Sequence, residues 1–378
     1  MHDGVIRSPV EIAEDGVGVR AKSIGCDLRP LGNALGEIVN KDGIIYLRTP
    51  KSLVAFGQTL DNMARKCRNG AEMSAKKRKF NQHSPFVIVN REVTQDASLR
   101  IHLIKRLEKL LGGKVVTFFT SFGRRNVLIV DDDAEMIESI LAVEHVGGKK
   151  LFLVVNSPGG SGMAAERIVN TCRAYSNNQF EVVVPHMAKS AATMICFGAS
   201  VIQMSKTAEL GPVDPQVAYW PEGVERNEAN LIWTSAEEYV RSYDKLMAAA
   251  MGAVTQRIEP FVQQLHRYDS RYIEQLRSAQ QLAKDISVRT LASGMMSGIV
   301  NTEIEQKIKV FLSQAETSSH GRMINAKEAE NCGLKIKMID LQSELWHNIW
   351  ELYVRSNWCV NNRCGKLIET SQAGVISA

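Results

Sequence analysis

An α/β fold with parallel strands covered on both faces is predicted by three observations. Apolar runs with no polar alternation ("KVVTFFTSF", "KKLFLVV" and "FEVVVP") recur through the middle of the chain, as expected for strands buried on both sides. Helical stripes separate them, the signature of βαβ units with right-handed crossovers. Two consecutive runs also end in turns of small residues, "NSPGGS" and "PHMAKSAAT", where helices begin.

The pattern sharpens from residue 96. Ile101, Leu103, Ile104, Leu107, Leu110 and Leu111 form a helical stripe ended by Gly112-Gly113, and "KVVTFFTSF" follows as a strand. "VLIV" reads as another strand, and Asp131–Asp133 offer caps for the helix "AEMIESILAVEHV". Next come the strand "LFLVV", the helix "GMAAERIVNTCRAY", the strand "FEVVVP", the helix "SAATMICFGA" and the strand "SVIQMS". Ser235-x-x-Glu238 is a capping-box signature that opens a long helical region. Three parts are therefore expected: an extension over 1–95 with short apolar pieces, a principal domain over 96–350, and a tail over 351–378.

Composition excludes some function classes. An apolar fraction of 44% with 23% charge is ordinary for a globular protein. The start "MHDGVIRSPVEIAEDG" has no apolar secretory segment, and "AATMICFGASVIQM" is too short for a membrane span. Seven scattered cysteines form no disulfide framework, which fits a reducing, cytoplasmic setting. Cys359 and Cys364 make only one pair, against the four ligands of a structural zinc site, so no metal or other cofactor is expected.

The net charge of +5 is concentrated in residues 61–80, where seven Lys/Arg oppose Asp61 and Glu72. Its basic run over 65–79 is a solvated segment with room for a protein partner or a weak nucleic-acid contact. No aromatics are interleaved there to stack on bases.

Chemistry concentrates in the two turns. Ligands of layered α/β folds bind beyond the carboxyl ends of parallel strands, and right-handed connectivity sets these two turns side by side. The pair Gly159-Gly160 allows close backbone approach. An N–H from that turn and the N–H of Ala191 would make a two-donor oxyanion hole. Ser190, where a helix starts, is positioned as a nucleophile in the manner of a strand-to-helix elbow. A glycine pair or a pre-helical serine alone would mean only a tight turn or a cap; their conjunction on successive strands is what points to a site.

"NSPGGSGMAAERIV", "AKSAATMICFGAS" and "ELGPVDPQV" resemble the serine dehydrogenase proteinase family, within the Clp protease/crotonase fold, over roughly residues 96–350. The resemblance implies a Clp/crotonase-like core of repeated ββα and βαβ units with a helical C-terminal part and a less ordered N-terminal extension. It also implies a serine endopeptidase acting on polypeptides, with Ser190 as nucleophile and Gly160 and Ala191 as oxyanion donors, assembled as a homo-oligomer. One departure is Ala192, where the related pattern often has glycine. Another is that "GPVDPQV" lacks the histidine that Clp-type enzymes place there.

A Ser-Lys dyad like that of signal peptide peptidase A is the better analogue, with Lys245 in "YDKLMAAAM" as the base. Such a lysine must be neutral, so it needs burial or a neighbouring cation. His320 and His186 are the further candidates, while Lys189 adjoins the nucleophile but should point away from it. Two other functions compete. A catalytically weak scaffold or regulatory subunit would suit the missing histidine and the basic segment. Acyl-CoA hydratase or isomerase chemistry would use the two amides but leaves Ser190 unexplained.

Overall fold

The computed structural model of the chain describes residues 10–13, 16–19, 38–41, 44–47, 97–124, 127–144, 146–220, 223–227, 230–252, 258–313 and 322–377. Two compact units divide it, Met1–Gln82 and His83–Ala378. The described residues of the first form four short strands, β1 (Val10–Ala13), β2 (Gly16–Val19), β3 (Ile38–Lys41) and β4 (Ile44–Leu47). They pair antiparallel in the order β1-β2-β4-β3, inside the stretch expected to be an extension. The basic run over 65–79 lies outside the described residues.

In the second unit the alternation read from the sequence is realised, except that "VLIV" forms no strand: it contributes only a single bridge, from Ile129 to Gly160. Helix α1 (Ala97–Leu111) precedes β5 (Lys114–Thr120), α2 (Asp131–Glu144) precedes β6 (Leu151–Asn156), and α3 (Gly162–Tyr175) precedes β7 (Phe180–Val184). A two-residue strand β8 (Met187–Ala188) then leads through Ser190 into α4 (Ala191–Phe197), followed by β9 (Ile202–Met204) and β10 (Glu209–Leu210). Strands β5, β6, β7 and β9 run parallel to one another.

Every residue of β6 is buried, because helices cover both faces of the sheet. Leu151, Leu153 and Val155 join the core shared with α2, α3 and α4, while Phe152 and Val154 face the opposite core with α1. Alternation is therefore present but joins two apolar sides, which is why the run shows no polar period.

Beyond β10 lie the hairpin β11 (Gln216–Tyr219) and β12 (Ile232–Ser235), then α5 (Ala236–Gly252), α6 (Glu259–Leu265) and α7 (Ser270–Ala292). Ser235 caps α5 by accepting from the N–H groups of Glu237 and Glu238, as the capping signature predicts. Helices α8 (Asn301–Lys307) and α9 (Lys309–Leu312) follow, then β13 (Ile324–Asn325), α10 (Ala326–Asn331), β14 (Ile336–Met338) and α11 (Glu344–Asn362). β13, β10 and β8 form a small second sheet in that order. Strand β14 extends the main sheet beside β9. No described helix is long and apolar enough to cross a membrane.

The C-terminal residues expected as a tail are instead built into the main sheet. β15 (Lys366–Glu369) pairs antiparallel with β5, and β16 (Gly374–Ser377) pairs with β15. The sheet order is therefore β14-β9-β7-β6-β5-β15-β16. Leu367 and Ile368 are buried, one toward each core. The segment looked like a tail because charged residues flank this short apolar pair, yet both are buried and paired. Glu369 accepts two 2.7 Å bonds from Arg100 of α1, and Lys366 Nζ lies 2.9 and 2.8 Å from the carboxylate oxygens of Asp133 in α2. Cys359 and Cys364 sit beside this junction as buried thiols 3.8 Å apart. The hydrogen bond from Cys364 and the Arg100 charge lower Cys359 to about 7.

Replacing Arg100 with Met leaves the Glu369 carboxylate buried without its cation. Removing one partner of a buried pair is expected to lower the unfolding free energy by about 3–5 kcal/mol, measured by urea denaturation. A loss below about 1 kcal/mol, the range of an exposed pair, would show that β15 does not depend on this contact.

Candidate active site

The end of β6 is joined to the β8 segment, which follows β7, by backbone hydrogen bonds. Ser157 N–H donates to the carbonyl of Met187 at 3.1 Å, and Lys189 N–H donates to that of Ser157 at 3.0 Å. Asn156 Oδ1 accepts from Met187 N–H at 3.0 Å. The predicted juxtaposition of the two turns is thus a short parallel bridge between Ser157 and Ala188.

Ser190 follows at φ 49°, ψ −120°, a positive φ that non-glycine residues rarely adopt. It stands where a cap would stand, yet its side chain makes no capping hydrogen bond to α4. Backbone contacts hold the turn instead. Ser190 N–H donates to the Pro212 carbonyl at 3.2 Å, and Ala192 N–H donates to that of Lys189 at 2.9 Å. Buried Thr193 donates its hydroxyl to the carbonyls of Ala188 (2.8 Å) and Gly211 (2.9 Å).

The two glycines do different work. At Gly159 (φ 111°) a Cβ would come within 2.6 Å of Ser190 Cβ and 2.7 Å of the Lys189 carbonyl oxygen, so only glycine lets the serine turn approach. Its N–H donates to Ser157 Oγ at 3.1 Å, and that hydroxyl also accepts from Thr120 Oγ1 at 2.7 Å. Gly159 therefore supplies space, and its amide is engaged by Ser157 where an oxyanion donor from either Gly159 or Gly160 is expected.

Gly160 bridges Ile129, whose N–H donates to the Gly159 carbonyl and whose carbonyl accepts from Ser161 N–H, both at 2.8 Å. In a parallel bridge of this kind the bridged residue's own N–H points away from its partner strand. That leaves the Gly160 amide directed away from Ile129. Neither it nor the amide of Ala191 donates to any group among the described residues. Two unengaged amides, a serine hydroxyl not used as a cap, and glycine-sized space between them suit an oxygen that gains negative charge during reaction.

The other candidates lie elsewhere. Lys245 is exposed on α5, a helix packed against α6, α7 and β12. Lys189 points away from the turn as expected, with Nζ 2.5 Å from Glu209 Oε1. The His186 ring stacks on Tyr353 of α11 at 5.2 Å between centroids, and burial lowers its pKa. His320 lies outside the described residues. Sequence reading passed over Asp214, which is 2% exposed and stands two residues beyond the carbonyl that holds Ser190. An acid inside the apolar stretch "LGPVDP" is the signal that marked it.

The fold and the two turns define a layered α/β protein that presents a serine on a strained strand-to-helix turn. Its resemblance to the serine dehydrogenase proteinase family is borne out: a family model described as ClpP-like SDH-type serine proteinase matches residues 77–240, which include both turns. The chain is also similar to uncharacterized proteins MJ0137 and MJ1495 of Methanocaldococcus jannaschii, 29% identical over 147 residues and 28% over 131. Those matches cover 36% and 32% of this chain and 50% and 44% of the relatives, so the chain spans about half the length of the curated relatives it matches. Two solved structures of mutants of a 1510-N membrane-bound stomatin-specific protease, one in complex with a substrate peptide, are 12% identical. They have TM-scores of 0.23 and 0.22, covering 56% and 60% of this chain and 93% of theirs.

Substituting Gly159 with Ala forces Ser190 or the Lys189 carbonyl to move. Labelling of Ser190 by a fluorophosphonate is expected to slow by about 10²-fold, the cost of a displacement of about 1 Å at the reacting group, read by the rate of the mass shift. Labelling at the rate of the parent protein would contradict the close approach of the two turns.

Proposed function

We propose that the protein is a serine endopeptidase in which Ser190 attacks the carbonyl of a polypeptide substrate. The observation that carries this reading is the strained backbone of Ser190, opposite two amides that donate to no described group. A scaffold has no need of that strain. An enzyme that only stabilises an acyl-CoA enolate needs the amides but not the serine. In the first step Ser190 Oγ forms a bond to the carbonyl carbon as a general base takes its proton. The carbonyl oxygen becomes an oxyanion held by the N–H groups of Gly160 and Ala191. Collapse expels the amine, which receives the proton from the base, and water then hydrolyses the acyl-enzyme by the same steps.

Lys245, the base expected from the sequence, is exposed on α5, so a single chain gives it none of the burial that a lysine base requires. A specific observation favours His320 instead. The Phe311 carbonyl accepts from Val213 N–H at 2.8 Å, and the Arg322 carbonyl lies 3.4 Å from Lys189 Nζ. The described residues on either side of the segment bearing His320 thus contact Lys189 and Val213, the residue after the Pro212 that holds Ser190. An imidazole needs no burial to be neutral at pH 7.

Ser190→Ala is expected to abolish both peptide hydrolysis and fluorophosphonate labelling while the fold persists; hydrolysis at the parent rate would sink the assignment. With a histidine base, activity rises with pH to a plateau above about 6.5. His320→Ala then lowers kcat by about 10²–10⁴-fold while Lys245→Ala leaves it intact. The opposite pair of outcomes would restore the lysine.

A further inference from the structure

Lys189 sits next to the nucleophile, turned away from it, and nothing in the proposed chemistry uses it. Its surroundings are nevertheless built for one cation. Nζ lies 2.5 Å from Glu209 Oε1, 3.3 Å from the Leu210 carbonyl and 3.4 Å from the Arg322 carbonyl. Three acceptors match the three donors of an ammonium. The side chain is only 13% exposed and that of Glu209 only 17%, so the pair is far from the solvated surface where ion pairs count for little. The stem passes directly over Gly211, where a Cβ would come within 2.3 Å of Lys189 Cδ.

The acceptors belong to the elements that flank the serine turn. Glu209 and Leu210 are β10, which pairs in parallel with Met187 and Ala188 of β8, the two residues before Lys189. On its other side β10 pairs with β13, just after Arg322. Two residues further along from β10, the Pro212 carbonyl accepts from Ser190 N–H. Lys189 therefore ties the residue before the nucleophile to β10 and to Arg322, which precedes β13. A positive φ at a non-glycine residue persists only where the surroundings over-determine it, and among the described residues this is the one charged contact made by the turn.

We propose that the Lys189–Glu209 pair is a positioning device that holds Ser190 in its strained backbone conformation, rather than a catalytic pair or a mere contributor to stability. The inference rests on the reading of Ser190 as nucleophile. It predicts a defect in turnover and not in substrate binding, because a displacement of about 1 Å at the reacting group can cost 10²-fold in rate.

Four variants of the full chain test it, with peptide hydrolysis and fluorophosphonate labelling measured on each: Ser190→Ala, Lys189→Met, Glu209→Gln and the Lys189→Met/Glu209→Gln double variant. Lys189→Met is expected to lower kcat and the labelling rate in parallel by about 10²-fold, with KM within about threefold of the parent. Glu209→Gln, which keeps the shape of the side chain, should give a smaller loss of the same kind. The double variant should be no worse than Lys189→Met, since both act through one contact.

A pair that served stability alone would lower the melting temperature and leave kcat of the folded protein unchanged, and that result overturns the proposal. So does a change confined to KM, or losses that simply add in the double variant. Should Lys189→Met fail to fold, Glu209→Gln decides: reduced kcat supports the positioning role and parent kcat refutes it. Hydrolysis by Ser190→Ala at the parent rate would remove the nucleophile reading itself, and this inference with it. An inert Ser190→Ala beside a fully active Lys189→Met removes only the inference.

Discussion

At φ 49° and ψ −120°, the Ser190 backbone lies where an L-residue is held only by its neighbours. The surrounding structure can be understood from what that conformation requires. The Pro212 carbonyl fixes the Ser190 amide, Thr193 pins the residues on either side, and Lys189 is drawn toward β10. Gly159 has to lack a side chain because Ser190 Cβ occupies the space beside it. The amides of Gly160 and Ala191 donate to no described group because the turns that carry them bond through their other edges. The strain thus goes with a hydroxyl released from capping and two donors waiting for an acceptor.

Beneath the turns, the sheet supplies the rigidity that such a site needs. Strands β6 and β7 are buried along their whole length, and the end of β6 meets β8 through the Ser157–Ala188 bridge. From Ser157 a hydroxyl contact runs to Thr120 at the end of β5. Strand β5 is in turn clamped by β15, whose Lys366 and Glu369 are neutralised by Asp133 and Arg100. The C-terminal segment and the glycine turn are therefore linked through one strand. Buried charges with good partners can hold a strand in one register.

Much of this was legible in the sequence, and the gaps have physical causes. The parallel strands announced themselves because both faces are apolar, and the two turns stood out by composition. What spacing could not say was which glycine gives room and which gives a donor; that depends on Ile129, thirty residues away, bridging Gly160 and not Gly159. Strand β15 escaped notice because only Leu367 and Ile368 are apolar, and burial of Lys366 and Glu369 relies on partners more than 200 residues distant. Lys245 fitted a lysine base by its interval and apolar neighbours, yet α5 turns it outward. Asp214 was the reverse case, an acid whose burial depends on tertiary packing.

The most direct test of the account is a crystal structure of the protein after reaction with a fluorophosphonate. The phosphorus is expected on Ser190 Oγ, with its phosphonyl oxygen about 2.7–3.1 Å from the amide nitrogens of both Gly160 and Ala191. Phosphorus on another residue, or a phosphonyl oxygen turned away from those two amides, would contradict it.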